Sequence, residues 1–522
     1  MHAPPTDVAA LPPQQSGTPA RTAGQPSADS PGAGAGPAWW MWATASGLFL
    51  LYMLLSLRTH ERLLSHSFDL AIFEQAVRSY AEGHLPVSEV KGPDFPVLGD
   101  HFSPVLALLA PLYWLWPSAR TLLVAQAALV AASVLPLAQW ARRSLGSTAA
   151  LVLALCYGLS WGIANGVGFD FHEWAFAVPL FTCALAALGE GRLRAAACWA
   201  LPLVLVKEDM GLTVAVIGLL IAWRGGGEVG LRGLRGNWRG IGRGNWRGIW
   251  RGRRLGIAVA AVGLVWTLLV VLVVLPALSP SGSYFYASFL GGSTGGPGGG
   301  AGGGLGEVLR KLTIGLVTPE TKVTTLVLVL APTLFLALRS PLVLVAVPTL
   351  VWRGVSDYTA HWGTGYHYSL TLMPIVFAAF VDALGRRGTT GAGLRRYLAG
   401  AAGVCALLLP VYSLAQVAHP DTWRADPRIA AAHRVMGLIP DGATVQASDG
   451  LVPHLSDRTS VSLYGWPAGR PDPEWIVVDT QVPQQRRWPL SAKDESLALA
   501  GARASGYREV AQEDGFVLLS RS

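Results

Sequence analysis

Short clusters of ionisable residues interrupt a sequence that is otherwise largely apolar. Phe68-Asp69-Leu70 opens an amphipathic stretch running from Ala71 to Tyr80, and Asp100-His101-Phe102-Ser103-Pro104 follows it. Gly168-Phe169-Asp170-Phe171-His172-Glu173-Trp174 lies between two apolar runs, Lys207-Glu208-Asp209 breaks another, and His361, His367 and Tyr368 flank a further one. Charged side chains are expensive beside lipid, so their presence there points to function by default. The set suits transfer of a carbohydrate from a lipid-phosphate donor. A carboxylate can deprotonate an acceptor hydroxyl, and a cation or bound metal can neutralise the departing phosphate. Asp170, His172 and Glu173 offer oxygen and nitrogen ligands for a divalent cation such as Mg²⁺ or Mn²⁺. His172-Glu173 also begins the zinc-peptidase pattern His-Glu-x-x-His, but Phe176 stands where the second histidine is required.

Each cluster has a plainer reading. Asp69 alone could be a loop acid or a helix cap. His101, beside Pro104, could sit at an interface, and Asp170, His172 and Glu173 could be structural. Lys207 with Glu208 could be a local ion pair that makes burial tolerable, and His361 and His367 could be ordinary interfacial residues. Convergence favours the chemical reading, because the topology below puts every cluster at one membrane face.

With 51% hydrophobic and 14% charged residues the chain is too apolar for a soluble enzyme, in which about 25% are charged. A helical span needs about 20 mostly apolar residues. Spans are expected near 39–57, 119–141, 147–165, 174–190, 195–206, 210–223, 255–276, 323–338, 341–353, 368–384 and 396–418. The fold class is thus mainly α, a polytopic helical membrane protein of about eleven spans. Residues 102–117 are apolar but broken by Pro104, Pro111 and Pro117, and read as an interfacial or re-entrant helix. Short apolar segments with polar residues between them line cavities, since irregular backbone does not face lipid.

Nine arginines fall between Arg224 and Arg254 with one acid, Glu228, among them. Such a block beside an apolar span marks a cytoplasmic loop, although Arg-Gly tracts also bind RNA; no nucleic-acid partner is expected. Arg142-Arg143, Arg192 with Arg194, and Arg386-Arg387 fit the same side. The outer side then receives 58–118, 166–173, the Lys207 turn, 277–322, 354–367 and everything after 418. Arg58 and Arg62 oppose this orientation, and the other loops outvote them. Residues 1–38, rich in Pro, Ala, Gly and Ser, read as a disordered cytoplasmic tail without a secretory signal. Gly-Asn-Trp-Arg-Gly-Ile occurs at 236–241 and 244–249, a duplication in a flexible loop, and Gly291 to Gly306 reads as a linker. Cys156, Cys183, Cys198 and Cys405 lie in apolar stretches and form neither a disulfide framework nor a metal pattern.

After 418 the composition becomes that of a small soluble α/β domain, 419–522. A helix is expected over Pro427 to Leu438, strands over Ala443 to Ser448 and Thr459 to Leu463, and a buried strand at Trp475 to Val478. A helix over 492–504 and strands near 507–511 and 515–520 follow, with a hairpin turn at Glu513 to Gly515.

Ser67-Phe68-Asp69-Leu70-Ala71-Ile72-Phe73-Glu74-Gln75, Asp100-His101-Phe102-Ser103-Pro104, Asp170-Phe171-His172-Glu173 and Lys207-Glu208-Asp209 resemble the bacterial membrane proteins called domain of unknown function 2079. The resemblance extends from about residue 45 to the end and takes in Asp449, Leu455 and Arg458 before Trp475 to Asp479. That family resembles the GT-C superfamily, multispanning glycosyltransferases that use polyprenyl-phosphate sugars on the outer membrane face. The resemblance implies Asp69 as the acid of the first external loop and Asp170 with Glu173 as a second acidic motif. The first loop carries a lone Asp in place of an acidic pair. The expected activity is an inverting sugar transfer to an extracytoplasmic acceptor. Asp69 is the general base, Asp170, His172 and Glu173 organise the site or a cation, and Lys207 and Arg58 hold phosphate. Asp100, His101, Glu208, His367 and Tyr368 complete the expected substrate-binding set. The rival readings are a transporter or flippase, for which no internal repeat of spans is found, and a non-enzymatic membrane scaffold.

Overall fold

Residues 38–226, 243–282, 310–311 and 313–521 are described by a computed structural model. The tail 1–37, the loop segment 227–242 and the Gly291–Gly306 run lie outside the described residues.

The chain enters on α1 (Trp39–Glu61). The first loop then forms a π-helical turn, Ser67–Ala71, leading into α2 (Ile72–Ala81). A short antiparallel ribbon of β1 (Val87–Ser88) and β2 (Phe95–Pro96) follows, then the proline-broken apolar segment Pro104–Leu115. Next come α3 (Ala119–Ala132) and α4 (Val134–Leu145), which run on as one apolar helix. The pair α5 (Ser147–Gly158) and α6 (Trp161–Gly168) bends by 45°. After them come α7 (Trp174–Gly189), α8 (Leu193–Ala200), α9 (Met210–Gly225), α10 (Arg243–Leu269), α11 (Glu320–Leu330), α12 (Val347–Val355), α13 (Leu372–Arg386) and α14 (Gly391–Leu408).

Among the described residues five helices are long and apolar enough to cross a membrane, and the bent pair makes six. The expected spans at 174–190, 195–206, 210–223 and 341–353 appear instead as apolar helices of 10–17 residues. A 16-residue helix such as α7 rises only about 24 Å, short of the ~30 Å hydrocarbon layer. The expected span 323–338 breaks after Leu330, where Leu334 and Phe335 take left-handed backbone. The arginine-rich segment is also not all loop. From Arg243 it is helical, because an apolar helix already formed downstream extends at little cost.

The C-terminal segment builds α15 (Pro427–Met436), β3 (Thr444–Ala447), β4 (Ser460–Leu463), β5 (Trp475–Asp479), α16 (Ala492–Ala504), β6 (Arg508–Glu513) and β7 (Phe516–Ser520). The sheet order is β4-β3-β5-β7-β6. The β3 strand pairs parallel with β4 and β5, while β7 pairs antiparallel with β5 and β6. The apolar run of β5 is central, as its lack of alternation requires. Asp514 and Gly515, both at positive φ, close the β6–β7 hairpin in the backbone twist that two-residue turns favour.

This sheet does not stand apart from the membrane region, since the described residues from 38 onward form one compact unit. Leu70, Ile72, Phe73 and Val77 of the first loop share a buried core with Val435, Val445, Leu451, Val461 and Leu463. Polar ties frame that core. Gln75 donates to the Val461 carbonyl of edge strand β4 (2.9 Å), and Arg470 grips Glu89 with two bonds of 2.9 Å. Gly450 comes so close to the Leu63 carbonyl that a Cβ there would sit 2.6 Å from it.

Helices α9 and α10 meet along glycine. Added Cβ atoms at Gly211, Gly218 and Gly225 would lie 2.3, 2.4 and 2.6 Å from backbone of α10. Small residues at heptad spacing let membrane helices approach to backbone contact, where packing replaces the hydrophobic effect as the driving force. Gly218→Ala should therefore cost about 1–3 kcal/mol through overpacking. Gly47→Ala, where a Cβ meets nothing within 4 Å, should be neutral or gain up to about 1 kcal/mol of helix propensity. Thermal denaturation of the solubilised protein reads the difference, and equal melting temperatures for the two variants would contradict it.

Candidate functional site

Asp69 lies inside the π-helical turn that joins the first loop to α2. Such turns are uncommon and concentrate at functional sites. Its N-terminal end is held from two sides. Upstream, the His66 backbone N–H (2.9 Å) and ring Nδ1 (2.8 Å) both reach Asp170 Oδ2. The next residue, Ser67, donates from its N–H (2.8 Å) and hydroxyl (2.6 Å) to Asp449 Oδ1 of the sheet region. Asp69 is no helix cap, because α2 has no side-chain cap bond at its N-terminus.

The loop carrying Asp170 and His172 is itself held by Gln126 of α3, which is fully buried. Its Nε2 donates to the carbonyls of Asp170 (2.7 Å) and Gly166 (3.3 Å), and its Oε1 accepts from the His172 N–H (3.0 Å). A buried amide that satisfies three backbone groups fixes a non-helical turn in the protein interior. His172 Nε2 then meets Asp69 Oδ1 at 3.0 Å, and its ring stacks on His367 with centroids 3.3 Å apart.

Around this centre lie two further charge groups. Lys207 Nζ is 2.8 Å from Glu173 Oε1 and 3.8 Å from Glu208 Oε1, so its near partner is Glu173 rather than the adjacent Glu208. Glu208 in turn accepts from the Phe102 N–H at 3.3 Å. Asp100 is bonded by Lys91 and, at 2.6 Å, by His101 Nδ1. Phe73 joins the groups, with its ring 5.8 Å from His101 and 5.9 Å from His172. On the far side Arg353, 2% exposed, donates to the carbonyls of His361 (2.5 Å) and Tyr368 (3.1 Å) and to the Ser369 hydroxyl. The Tyr368 ring packs 4.2 Å from His367.

Electrostatics keep the acids ionised. Burial alone raises the Asp69 pKa, but the charge and hydrogen bond of His172, with His66 and His101 behind, hold it below the ordinary value. Asp100 follows the same logic, with His101 and Lys91 overcoming burial. Burial works against a charged His66, yet its bond to Asp170 and the charges of Asp170, Asp449 and Asp69 carry its pKa up to about 9. Several buried atoms face no hydrogen-bond partner among the described residues: Asp170 Oδ1, His172 Nδ1, Glu173 Oε2 and His367 Nδ1. Buried polar atoms are seldom left so, and here they cluster.

The structure thus brings Asp69, Asp170, His172 and His367 together, with Glu173, Lys207, Glu208, Asp100, His101 and Tyr368 around them. Arg58 goes elsewhere. Its guanidinium donates to the carbonyls of Thr422 (2.7 Å) and Arg424 (3.2 Å), tying α1 to the start of the C-terminal segment. The expected metal set is also regrouped. Glu173 is engaged by Lys207, whereas single donor atoms of His66, Asp69 and Asp170 lie within 4.8 Å of one another. His66, Gln126 and Arg353 are additions that sequence reasoning missed. Gln126 and Arg353 were visible as lone polar residues in apolar runs, and His66 as the residue three before Asp69.

No curated protein sequence matches this chain. Among solved structures, ArnT from Cupriavidus metallidurans bound to undecaprenyl phosphate is similar, with a TM-score of 0.51 and 14% identity over 93% of this chain and 98% of that one. The Archaeoglobus fulgidus oligosaccharyltransferase in its apo form gives a TM-score of 0.36 at 11% identity, covering 93% of this chain and 75% of that one. At 14% identity the likeness to ArnT concerns the fold alone. Residues 59–518 match the family described as "Predicted membrane protein (DUF2079)". With that match spanning most of its length, the chain belongs to the DUF2079 family of membrane proteins.

Proposed function

We propose that this protein is a GT-C-like glycosyltransferase that moves a sugar from a polyprenyl-phosphate donor to an acceptor on the extracytoplasmic side. One observation carries the reading. Asp69 sits in a π-helical turn whose N-terminal end is fixed from two sides, by Asp170 and by Asp449, with its Oδ1 on His172 and its Oδ2 taking no hydrogen bond among the described residues. An ionised carboxylate with one oxygen oriented and the other open is what a general base requires. Asp69 takes the proton of an acceptor hydroxyl as that oxygen attacks the anomeric carbon. The bond from that carbon to phosphate breaks, its electron pair leaves with the polyprenyl phosphate, and the sugar inverts. The likeness of fold to a protein bound to undecaprenyl phosphate supports a lipid-linked donor.

The leaving phosphate needs cations, and Arg58 is paired with Glu61 (3.1 Å) and turned toward the C-terminal segment. Arg353, whose bonds go to carbonyls and a hydroxyl, and Lys207 take that role. Carboxylate oxygens of Asp69 and Asp170, whose Oδ1 has no hydrogen-bond partner among the described residues, would hold a divalent cation, and the His66 ring would join them only on losing the proton it places against Asp170. A cation held there would supply charge neutralisation at the phosphate. On the outer-face orientation proposed here, the C-terminal sheet and this site share the extracytoplasmic side.

Asp69→Asn keeps shape and hydrogen bonding but removes the proton acceptor. Donor turnover by the purified protein should fall by about 10²–10⁴-fold with an unchanged melting temperature. Normal turnover would remove Asp69 from the mechanism, and turnover indifferent to EDTA would remove the cation.

The His66–Asp170 pair makes a pH prediction. The folded pKa of His66 is about 9 against an ordinary 6.5, so the pair's contribution is complete below 6.5 and lost as pH rises through about 9. The wild type should therefore lose its stability margin over His66→Gln between those values. Melting curves for the two proteins that stay parallel from pH 6 to pH 10 would contradict the pairing.

A further inference from the structure

A cavity of about 100 Å³ lies between the first loop and the C-terminal sheet, and the chemistry above does not use it. Half of the Arg, Asp and Glu side chains on its wall are already in ion pairs, and Asp426 is taken up by the Arg428 N–H (3.0 Å). Arg428 meets Asp479 at 2.6 Å, and Arg487 meets Glu495 at 2.5 Å. Two cations are not matched by acids. Arg62 donates to the Asp421 carbonyl (3.0 Å) and Arg486 to the Leu63 carbonyl (3.5 Å), and neither guanidinium has a carboxylate within ion-pair distance among the described residues. Asp449 also lines the cavity, with only its Oδ1 engaged by Ser67. Trp488 supplies an aromatic wall and is 43% exposed. Its ring is braced edge-on by Phe68 (4.8 Å) and tilted against Trp466 (5.4 Å).

Two cations, a hydroxyl-accepting carboxylate and a braced indole are the chemistry of a site for a sugar that carries a negative charge. Arginine forks bind carboxylate or phosphate, and an aromatic face packs on the C–H face of a pyranose. Position links this site to the reaction centre. His66 lines the cavity, bonds Asp170 through its ring, and has a donor atom within 4.8 Å of Asp69 and Asp170 oxygens. We propose that the cavity binds the acceptor as an acidic saccharide, its carboxylate or phosphate on Arg62 and Arg486, its ring on Trp488 and a hydroxyl on Asp449. The inference rests on the glycosyltransferase reading for the word acceptor, but the binding site itself stands on its own geometry.

The test is calorimetric binding to the full-length protein in lipid nanodiscs. The probes are methyl β-glucuronide, glucose 6-phosphate, methyl β-glucoside and inorganic phosphate. At least one charged sugar should bind about tenfold or more tightly than the neutral glucoside, the scale of one charge-assisted hydrogen bond. Comparing the glucuronide with the phosphate ester tells which anion is preferred. Arg62→Gln with Arg486→Gln should abolish that preference. Trp488→Ala should weaken the charged sugar but not inorganic phosphate, and Trp488→Phe should restore it. A neutral glucoside that binds as well, a double variant that binds unchanged, or inorganic phosphate that binds as tightly as either sugar would each overturn the proposal. Asp69→Asn should bind the acidic sugar normally. Acidic-sugar binding without any donor turnover would keep the site and remove the transferase reading, whereas turnover with no preference for charged sugars would do the reverse.

Discussion

A single carboxylate oxygen, Asp170 Oδ2, receives both the backbone and the ring of His66, and the placement of Asp69 depends on it. On the other side Asp449 receives both donors of Ser67. The turn is thus clasped between a membrane-region loop and the sheet region. Hydrogen bonds to charged groups contribute about 1.5–3 kcal/mol each, enough to keep a π-helical turn from relaxing to ordinary helix. Asp69 is then presented to His172 by backbone that has little freedom, which is the preorganisation a general base needs.

The clasp works only because the elements behind it are rigid. Gln126 fixes the Asp170–His172 loop from within α3, and the apolar face of α2 is buried against the sheet. Short apolar helices and a 45° bend leave polar turns at the depth where Glu173 and Lys207 pair. Irregular backbone there must be enclosed by protein, and it is enclosed around charged groups. The same construction makes His66 a member of both the Trp488 cavity and the Asp69 centre.

The sequence reading reached the charged clusters because ionisable residues in apolar runs stand out by cost alone. It reached the C-terminal strands because alternation and turn residues are local signals, and β3, β4 and α16 fall within a residue or so of expectation. What it missed depends on contacts between distant positions. Ser67 and Asp449 are 382 residues apart, and no periodicity announces their bond. Arg58 read as a phosphate ligand from its place at a membrane face, yet the Thr422 carbonyl takes it. Glu173 looked like a metal ligand beside His172, but successive side chains diverge and Lys207 claims it. Hydropathy counted spans where the backbone breaks, because composition does not record that Leu334 and Phe335 turn left-handed.

A transferase centre at Asp69 cleaves a lipid-phosphate sugar, whereas a flippase carries it intact across the bilayer. Proteoliposomes loaded with a radiolabelled polyprenyl-phosphate sugar and an envelope glycan extract separate the two directly. The account predicts label in the glycan together with released polyprenyl phosphate, in equal amounts and only when acceptor is present. Intact donor appearing in the opposite leaflet, with no free polyprenyl phosphate, would contradict it.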